Sequence, residues 1–170
     1  MNAYIALLRA VNVGGTGKLP MQDLRAMAAQ CGFAGARTYI ASGNLLFRSA
    51  VAEAAVRAAL EARLAAYAGK KVGVLVRGGA EMAAVAAANP FPDAPGNRVM
   101  AIFLHERVSP AALQGVVGQG PEEVLALGDR EIYVRYGNGQ ADSKLRIPAA
   151  KAGTARNMNT VTKLAELALS

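Results

Sequence analysis

A chain of 170 residues with 53% apolar side chains is long enough to bury a sizeable core, as one domain or as two small ones, and is too apolar for disorder. One cysteine and one histidine exclude an intrachain disulfide and, in effect, a structural zinc site. A net charge of +7 favours acidic partners such as phosphates, nucleic acid or anionic lipid, against the plainer reading of a basic but inert surface.

Tryptophan is absent and aromatics are few, so the core is built of Leu, Val, Ile, Met and Ala. Tyr4 to Leu8 is a short apolar run bounded by turn chemistry, which predicts a buried strand. It is too short for a signal-peptide core, and no run approaches the roughly 18 apolar residues of a spanning helix, so a soluble, cytoplasmic protein is expected. Residues 9–18 form a glycine-rich stretch with Arg9 and Lys18 at its ends, Asn12 inside, and Gly14, Gly15 and Gly17. Pro20 then marks a helix start, and Met21, Leu24, Ala28 and Cys31 recur at helical spacing up to Gly32. Arg37–Ala41 and Leu45–Arg48 are β-rich runs separated by Ser42, Gly43 and Asn44, a hairpin signal. Ser49 is a candidate cap for the next helix, with Val56, Leu60, Leu64 and Tyr67 on one face and Gly69 at its end. Lys71–Val76 predicts another strand. The order β-α-β-β-α-β is that of a ferredoxin-like fold.

Ala80–Ala88 predicts a short helix, and Asn89 to Gly96 is a proline-rich linker. Arg98–Leu104 predicts a strand, and Ser109–Pro110 opens a helix carrying Leu113, Val116 and Val117. Glu123–Leu127 and Glu131–Tyr136 pair as a hairpin across Gly128 and Asp129. The element order repeats, so the expected fold is α+β, with duplicated ferredoxin-like halves at 1–96 and 97–170 and a helical C-terminus. From Asp142 to Lys163 the cations are Lys144, Arg146, Lys151, Arg156 and Lys163. Asn157, Asn159 and Thr160 compete to cap a final helix carrying Val161, Leu164, Ala165 and Leu167.

The 9–18 stretch comes nearest to a phosphate motif. A P-loop needs a glycine where Asn12 stands and a hydroxyl where Leu19 stands, so an ordinary P-loop NTPase is rejected. Converging backbone N–H groups and a helix N-terminus can still receive an anion, but a loop that merely turns the chain is an equal alternative. Arg9 can equally fix the fold through a carboxylate, and Ser42 and Asn44 suit a hairpin. No aromatic is interleaved with the C-terminal cations, which disfavours base stacking. His105 beside Glu106 reads as a surface histidine, Cys31 as a packed thiol, and Ser143–Lys144 are adjacent rather than facing. No catalytic nucleophile or base is identified.

Several motifs resemble those of the DUF1697 family of bacterial proteins. Leu8, Arg9, Ala10, Val11, Asn12, Val13, Gly14 and Gly15 resemble its LRGINVGG opening. The segment from Thr38 to Asn44 resembles its TYIQSGN, Asn89–Pro90–Phe91 its NPF, and Ser143–Lys144–Leu145 its SKL. Thr154 to Leu164 resembles its TxRNWNTVxKL ending, with Met158 in place of the usual Trp and, earlier, Ala10 in place of Gly. The resemblance implies a ferredoxin-like α+β fold and singles out polar residues that packing alone does not require. An anionic, phosphate-bearing small molecule, such as a nucleotide, is expected in a cleft between the halves. Arg9, Lys18, Lys144, Arg156 and Lys163 would supply charge, and Gly14 and Gly15 backbone amides. Asn12, Ser42, Asn44, Asn157 and Thr160 would supply hydrogen bonds. No cofactor, metal or membrane partner is expected. The alternatives are a nucleic-acid-binding module with a diffuse basic face and an assembly protein without a small-molecule site.

Overall fold

The computed structural model describes residues 1–9, 19–40, 43–137 and 142–170. The protein is α+β, and the described residues form two four-stranded antiparallel sheets and four α-helices. The described chain divides into two compact units: Met1–Met82 with Leu164–Ser170, and Ala83–Lys163. The sequence-based division at 96/97 differs from this one. The proline-rich stretch belongs wholly to the second unit, and the last seven residues belong to the first.

In the first unit the strands are β1 (Asn2–Leu8), β2 (Ala34–Thr38), β3 (Asn44–Ser49) and β4 (Val74–Gly78), in the order β2-β3-β1-β4. Helices α1 (Met21–Gln30) and α2 (Glu53–Ala68) cover one face. There Tyr4, Ala6, Leu8, Leu45, Phe47, Val74 and Val76 alternate inward and meet Leu24, Met27, Val56, Leu60 and Leu64. Burying such side chains stabilises by roughly 1.5–3 kcal/mol each. Phe33 stacks on Phe47 with ring centroids 4.4 Å apart. Tyr67, expected on the buried face of α2, is instead exposed and donates to Asp23 Oδ2 at 2.6 Å, because the apolar stripe ends one turn earlier, at Leu64. Ser49 does not cap α2: its Oγ accepts the Val51 N–H, and Ala52 holds the cap position. Cys31 packs half-buried near Ala59, and burial raises its pKa, an effect Arg63 partly offsets.

In the second unit the strands are β5 (Val99–Phe103), β6 (Val124–Leu127), β7 (Glu131–Arg135) and β8 (Thr154–Asn157), in the order β6-β7-β5-β8. The β6–β7 hairpin closes with the Gly128 N–H donating to the Glu131 carbonyl at 2.8 Å. The expected helix after Ser109 is a correction: only a 3-10 turn, Pro110–Leu113, forms, and Ser109 makes no capping bond. Gly115 adopts φ +76 and ends any helical path; beyond it Val117 bridges to Arg146 in extended backbone. That turn and a second, Pro148–Ala152, cover the Ile102, Ile132 and Val134 face.

Two helices join the strands. α3 (Gly79–Ala87) begins directly after β4, and α4 (Met158–Leu169) directly after β8. At the far end of α3, the Val85 carbonyl accepts the Tyr133 hydroxyl at 2.8 Å. At the far end of α4, Ala168 and Leu169 lie over Gly79, and the Leu167 carbonyl accepts from Arg37. Among the described residues no helix is long and apolar enough to cross a membrane.

Candidate functional site

Of the residues singled out in the first unit, Arg9 and Asn44 are described, whereas Asn12, Gly14, Gly15, Lys18 and Ser42 lie outside the described residues. Arg9 follows β1; its N–H donates to the Gly73 carbonyl at 2.9 Å, and its side chain lies across Gly73 so closely that a Cβ there would collide with it. Asn44 is fully buried. Its Nδ2 donates to the Tyr39 carbonyl at 3.0 Å, and its own carbonyl accepts the Tyr39 N–H at 3.1 Å. That amide closes the β2–β3 hairpin.

The second unit gathers Arg156, Asn157, Thr160 and Lys163 on one strand-to-helix junction. Arg156 sits on β8 opposite Ala101 and is 7% exposed. Its guanidinium donates to Thr154 Oγ1 at 2.8 Å and to the Ala155 carbonyl at 2.9 Å. Burial lowers its pKa from the ordinary guanidinium value to about 10, so it stays cationic at neutral pH. Asn157 settles the competition among caps: its Oδ1 accepts the Thr160 N–H at 2.9 Å, which satisfies one of the orphan donors of α4. Thr160 is buried and Lys163, one turn on, is exposed. Met158 is 4% exposed, so the residue in the place of the family's Trp is a core side chain and offers no surface for stacking.

Lys144 stands apart from these four. It lines a hollow of roughly 460 Å3 together with Glu122, Glu123 and Asp142, a wall dominated by carboxylates. The neighbouring Ser143 donates to Glu123 Oε2 and accepts the Leu145 N–H at 3.1 Å, while Glu123 Oε1 takes the Gly120 N–H at 2.7 Å. Gly118, at φ +74, lies so close to the Lys144 carbonyl that any side chain would collide. The Ser143–Lys144–Leu145 motif is therefore a clamp on the 117–123 loop. The Asn89–Pro90–Phe91 motif is likewise a turn: Asn89 Oδ1 accepts the Phe91 N–H at 2.9 Å, and the Phe91 ring lies 5.8 Å from the Arg135 guanidinium. His105 is half-buried rather than a surface residue, and its carbonyl accepts two bonds from Arg130.

Sequence reasoning passed over two buried charges. Arg77 is fully buried on β4, with Glu81 Oε2 3.6 Å from its Nε. The strand was expected to end at Val76, which left Arg77 in a turn; the Arg77–Glu81 spacing was the available signal. Glu131, 2% exposed on β7, lies opposite Phe103 and shares its sheet face with Arg156. Nothing in its hairpin pattern marks it. Among the described residues no group of three or more His, Cys, Asp or Glu side chains is arranged to hold a metal ion.

A family model described as "Protein of unknown function (DUF1697)" matches residues 1–133. The Arg156 junction thus lies beyond the matched stretch. Among solved structures, a conserved bacterial protein from Streptococcus pneumoniae is similar over 98% of each chain, at 23% identity and a TM-score of 0.81, a likeness of fold. No curated protein matches the chain.

Proposed function

The chain belongs to the DUF1697 family, and from that premise we propose that it binds an anionic, phosphate-bearing small molecule, with nucleotides as the first candidates. The observation that carries this reading is the burial of Arg156 at a strand end that runs straight into a helix N-terminus. Removing a guanidinium from water costs several kcal/mol. The N-terminal end of α4 adds partial positive charge beside it rather than offsetting it. An incoming anion would be attracted by the guanidinium and by the helix end together. Asn157, Thr160 and Lys163 supply further hydrogen-bonding groups and charge along the same ten residues. Lys144 contributes less on this reading, because carboxylates surround it.

The finer fold reading accompanies it. Both units follow one ferredoxin-like plan, since their strand orders are the same permutation, and in the second unit the covering helices have shrunk to 3-10 turns.

The test is thermal stability against nucleotides, sugar phosphates, inorganic phosphate and short RNA, each at low and moderate salt. A ligand at a hundred times its dissociation constant adds about 2.7 kcal/mol, which raises Tm by roughly 5–10 °C in a chain of this size. The expected outcome is a salt-robust shift with a small phosphate compound that is lost in Arg156→Gln. A shift with RNA alone, erased by salt, would replace this reading with the nucleic-acid one. No shift with any compound would leave Arg156 as a brace.

A further inference from the structure

The second unit carries two adjoining hollows of opposite character. The larger, of roughly 460 Å3, has Glu122, Glu123, Asp142 and Lys144 on its wall. The smaller, of roughly 250 Å3, has Arg98, Arg135 and Tyr136. Glu122 and Gly137 line both. Gly137 is the joint between them: its carbonyl accepts from Arg98, and the Glu122 side chain lies so close that a Cβ there would collide with it. Together the hollows have the size of a small-molecule site, with carboxylates at one end and guanidinium groups at the other.

Glu123 is committed to the protein, since its oxygens accept the Gly120 N–H and the Ser143 hydroxyl. Glu122 and Asp142 are not: among the described residues neither carboxylate has a hydrogen-bond or salt-bridge partner, and nor does the Lys144 ammonium. At the other end Arg98 gives one nitrogen to the Gly137 carbonyl, and Arg135 gives one to the Glu122 carbonyl at 3.4 Å. A guanidinium has five N–H donors, so both keep donors for a ligand carboxylate. Tyr136 belongs to both neighbourhoods. It lines the smaller hollow, and Glu123 on the wall of the larger one lies near enough to add to the rise that burial gives its pKa. The side chain is 8% exposed, yet its hydroxyl makes no hydrogen bond among the described residues. The sealed, unsatisfied side-chain atoms among those residues are Arg57 Nε and Arg63 Nε, so the Tyr136 oxygen opens outward. A phenol this deeply buried without a partner calls for one.

We propose that the two hollows are the halves of one site for a zwitterion, an amine-bearing carboxylic acid between a free amino acid and a tripeptide in size. Glu122 and Asp142 take its ammonium, Arg98 and Arg135 take its carboxylate, and the Tyr136 hydroxyl bonds a polar group of the ligand. Lys144, on the acidic wall, repels a divalent cation more strongly than a monovalent one, so an ammonium fits there better than a metal ion. The site is independent of the anion reading above and shares none of its residues at the Arg156 junction.

The test screens the full chain by thermal stability against the common amino acids and di- and tripeptides of Ala, Leu, Lys, Glu and Tyr, in phosphate-free buffer. The strongest stabiliser is then compared by calorimetry with its N-acetylated and C-amidated forms. The expected result is that each cap weakens binding at least about tenfold. Glu122→Gln should weaken the uncapped ligand about tenfold and leave the N-acetylated form unchanged; Arg135→Gln should do the same with respect to the C-amidated form. Tyr136→Phe should weaken binding about fivefold without lowering Tm, because its hydroxyl serves no partner in the protein. The proposal is overturned if no amino acid or peptide stabilises the chain, if the strongest binder tolerates either cap within about twofold, or if Glu122→Gln leaves its affinity unchanged. Should a variant fail to fold, the capped ligands with the wild-type protein decide alone.

Discussion

The two units use one strand order and cover it differently. The first sheet packs against two full helices, and its core side chains are almost all fully buried. The second is covered by 3-10 turns and extended chain, and most of the apolar residues packed on it, among them Val108, Ala112, Val116 and Ile147, are only partly buried. Strand order is therefore separable from helical cover. A four-stranded antiparallel sheet needs an apolar lid of sufficient area, and the lid's secondary structure is secondary.

The largest expected effect tests that contrast directly. Phe47→Ala in the first unit should cost about 3–5 kcal/mol in urea denaturation, since it removes a buried ring and its stack on Phe33. Val116→Ala in the lid of the second unit should cost under about 1 kcal/mol. Similar costs at the two sites would mean that the thin lid is as tightly packed as the helical one.

A smaller effect separates the units by pH. Burial, and then the nearby Glu131 carboxylate, raise the Tyr133 pKa from 10.0 to about 12. The folded state holds that proton after the unfolded state has lost it, so the associated stability is present below pH 10 and is lost as pH rises towards 12. Arg156 acts in the opposite sense: its folded pKa of about 10 lies below its unfolded value, so between these pH values deprotonation favours the folded state. The informative quantity is thus the difference between wild type and Tyr133→Phe. The variant should lose about 1 kcal/mol at neutral pH with the bond to Val85. It should then recover on the order of 1–2 kcal/mol relative to wild type by pH 12. A constant difference across that range would show that Tyr133 titrates normally.

The smallest effect is a gain. Ile40, at the tip of the β2–β3 hairpin, is exposed and has φ 52, a backbone conformation that a β-branched side chain resists. Ile40→Gly should stabilise by about 1 kcal/mol. Loss of stability instead would mean that the side chain earns its place through a contact.

The sequence announced these elements unevenly. Strands with continuous apolar runs, such as Tyr4–Leu8 and Val99–Phe103, were legible because burial on both faces leaves no other reading. The helix expected after Ser109 was not there, because Leu113, Val116 and Val117 mimic helical spacing across a glycine that turns the other way. β4 was placed too early because Gly73 interrupts its run and Arg77 looks like an end. At the candidate site, residue type and the family resemblance pointed to Arg156, Asn157 and Thr160. Only the fold could reveal that Arg77 is buried on β4 with the Glu81 carboxylate beside it. Lys144 looked like part of the same cationic run until the acidic wall around it came into view.

The last turn of α4 has a consequence for how the chain is made. Residues 164–170 complete the first unit, where Leu164 is fully buried and Ala168 lies over Gly79. A nascent chain that has emerged as far as Met82 therefore still lacks a piece of that unit, and all of 83–163 must be synthesised before the piece appears. The unit that leaves the ribosome first is closed last. Until then its sheet waits with an open seat, which a chaperone, or a peptide spanning 164–170 added in trans, could fill.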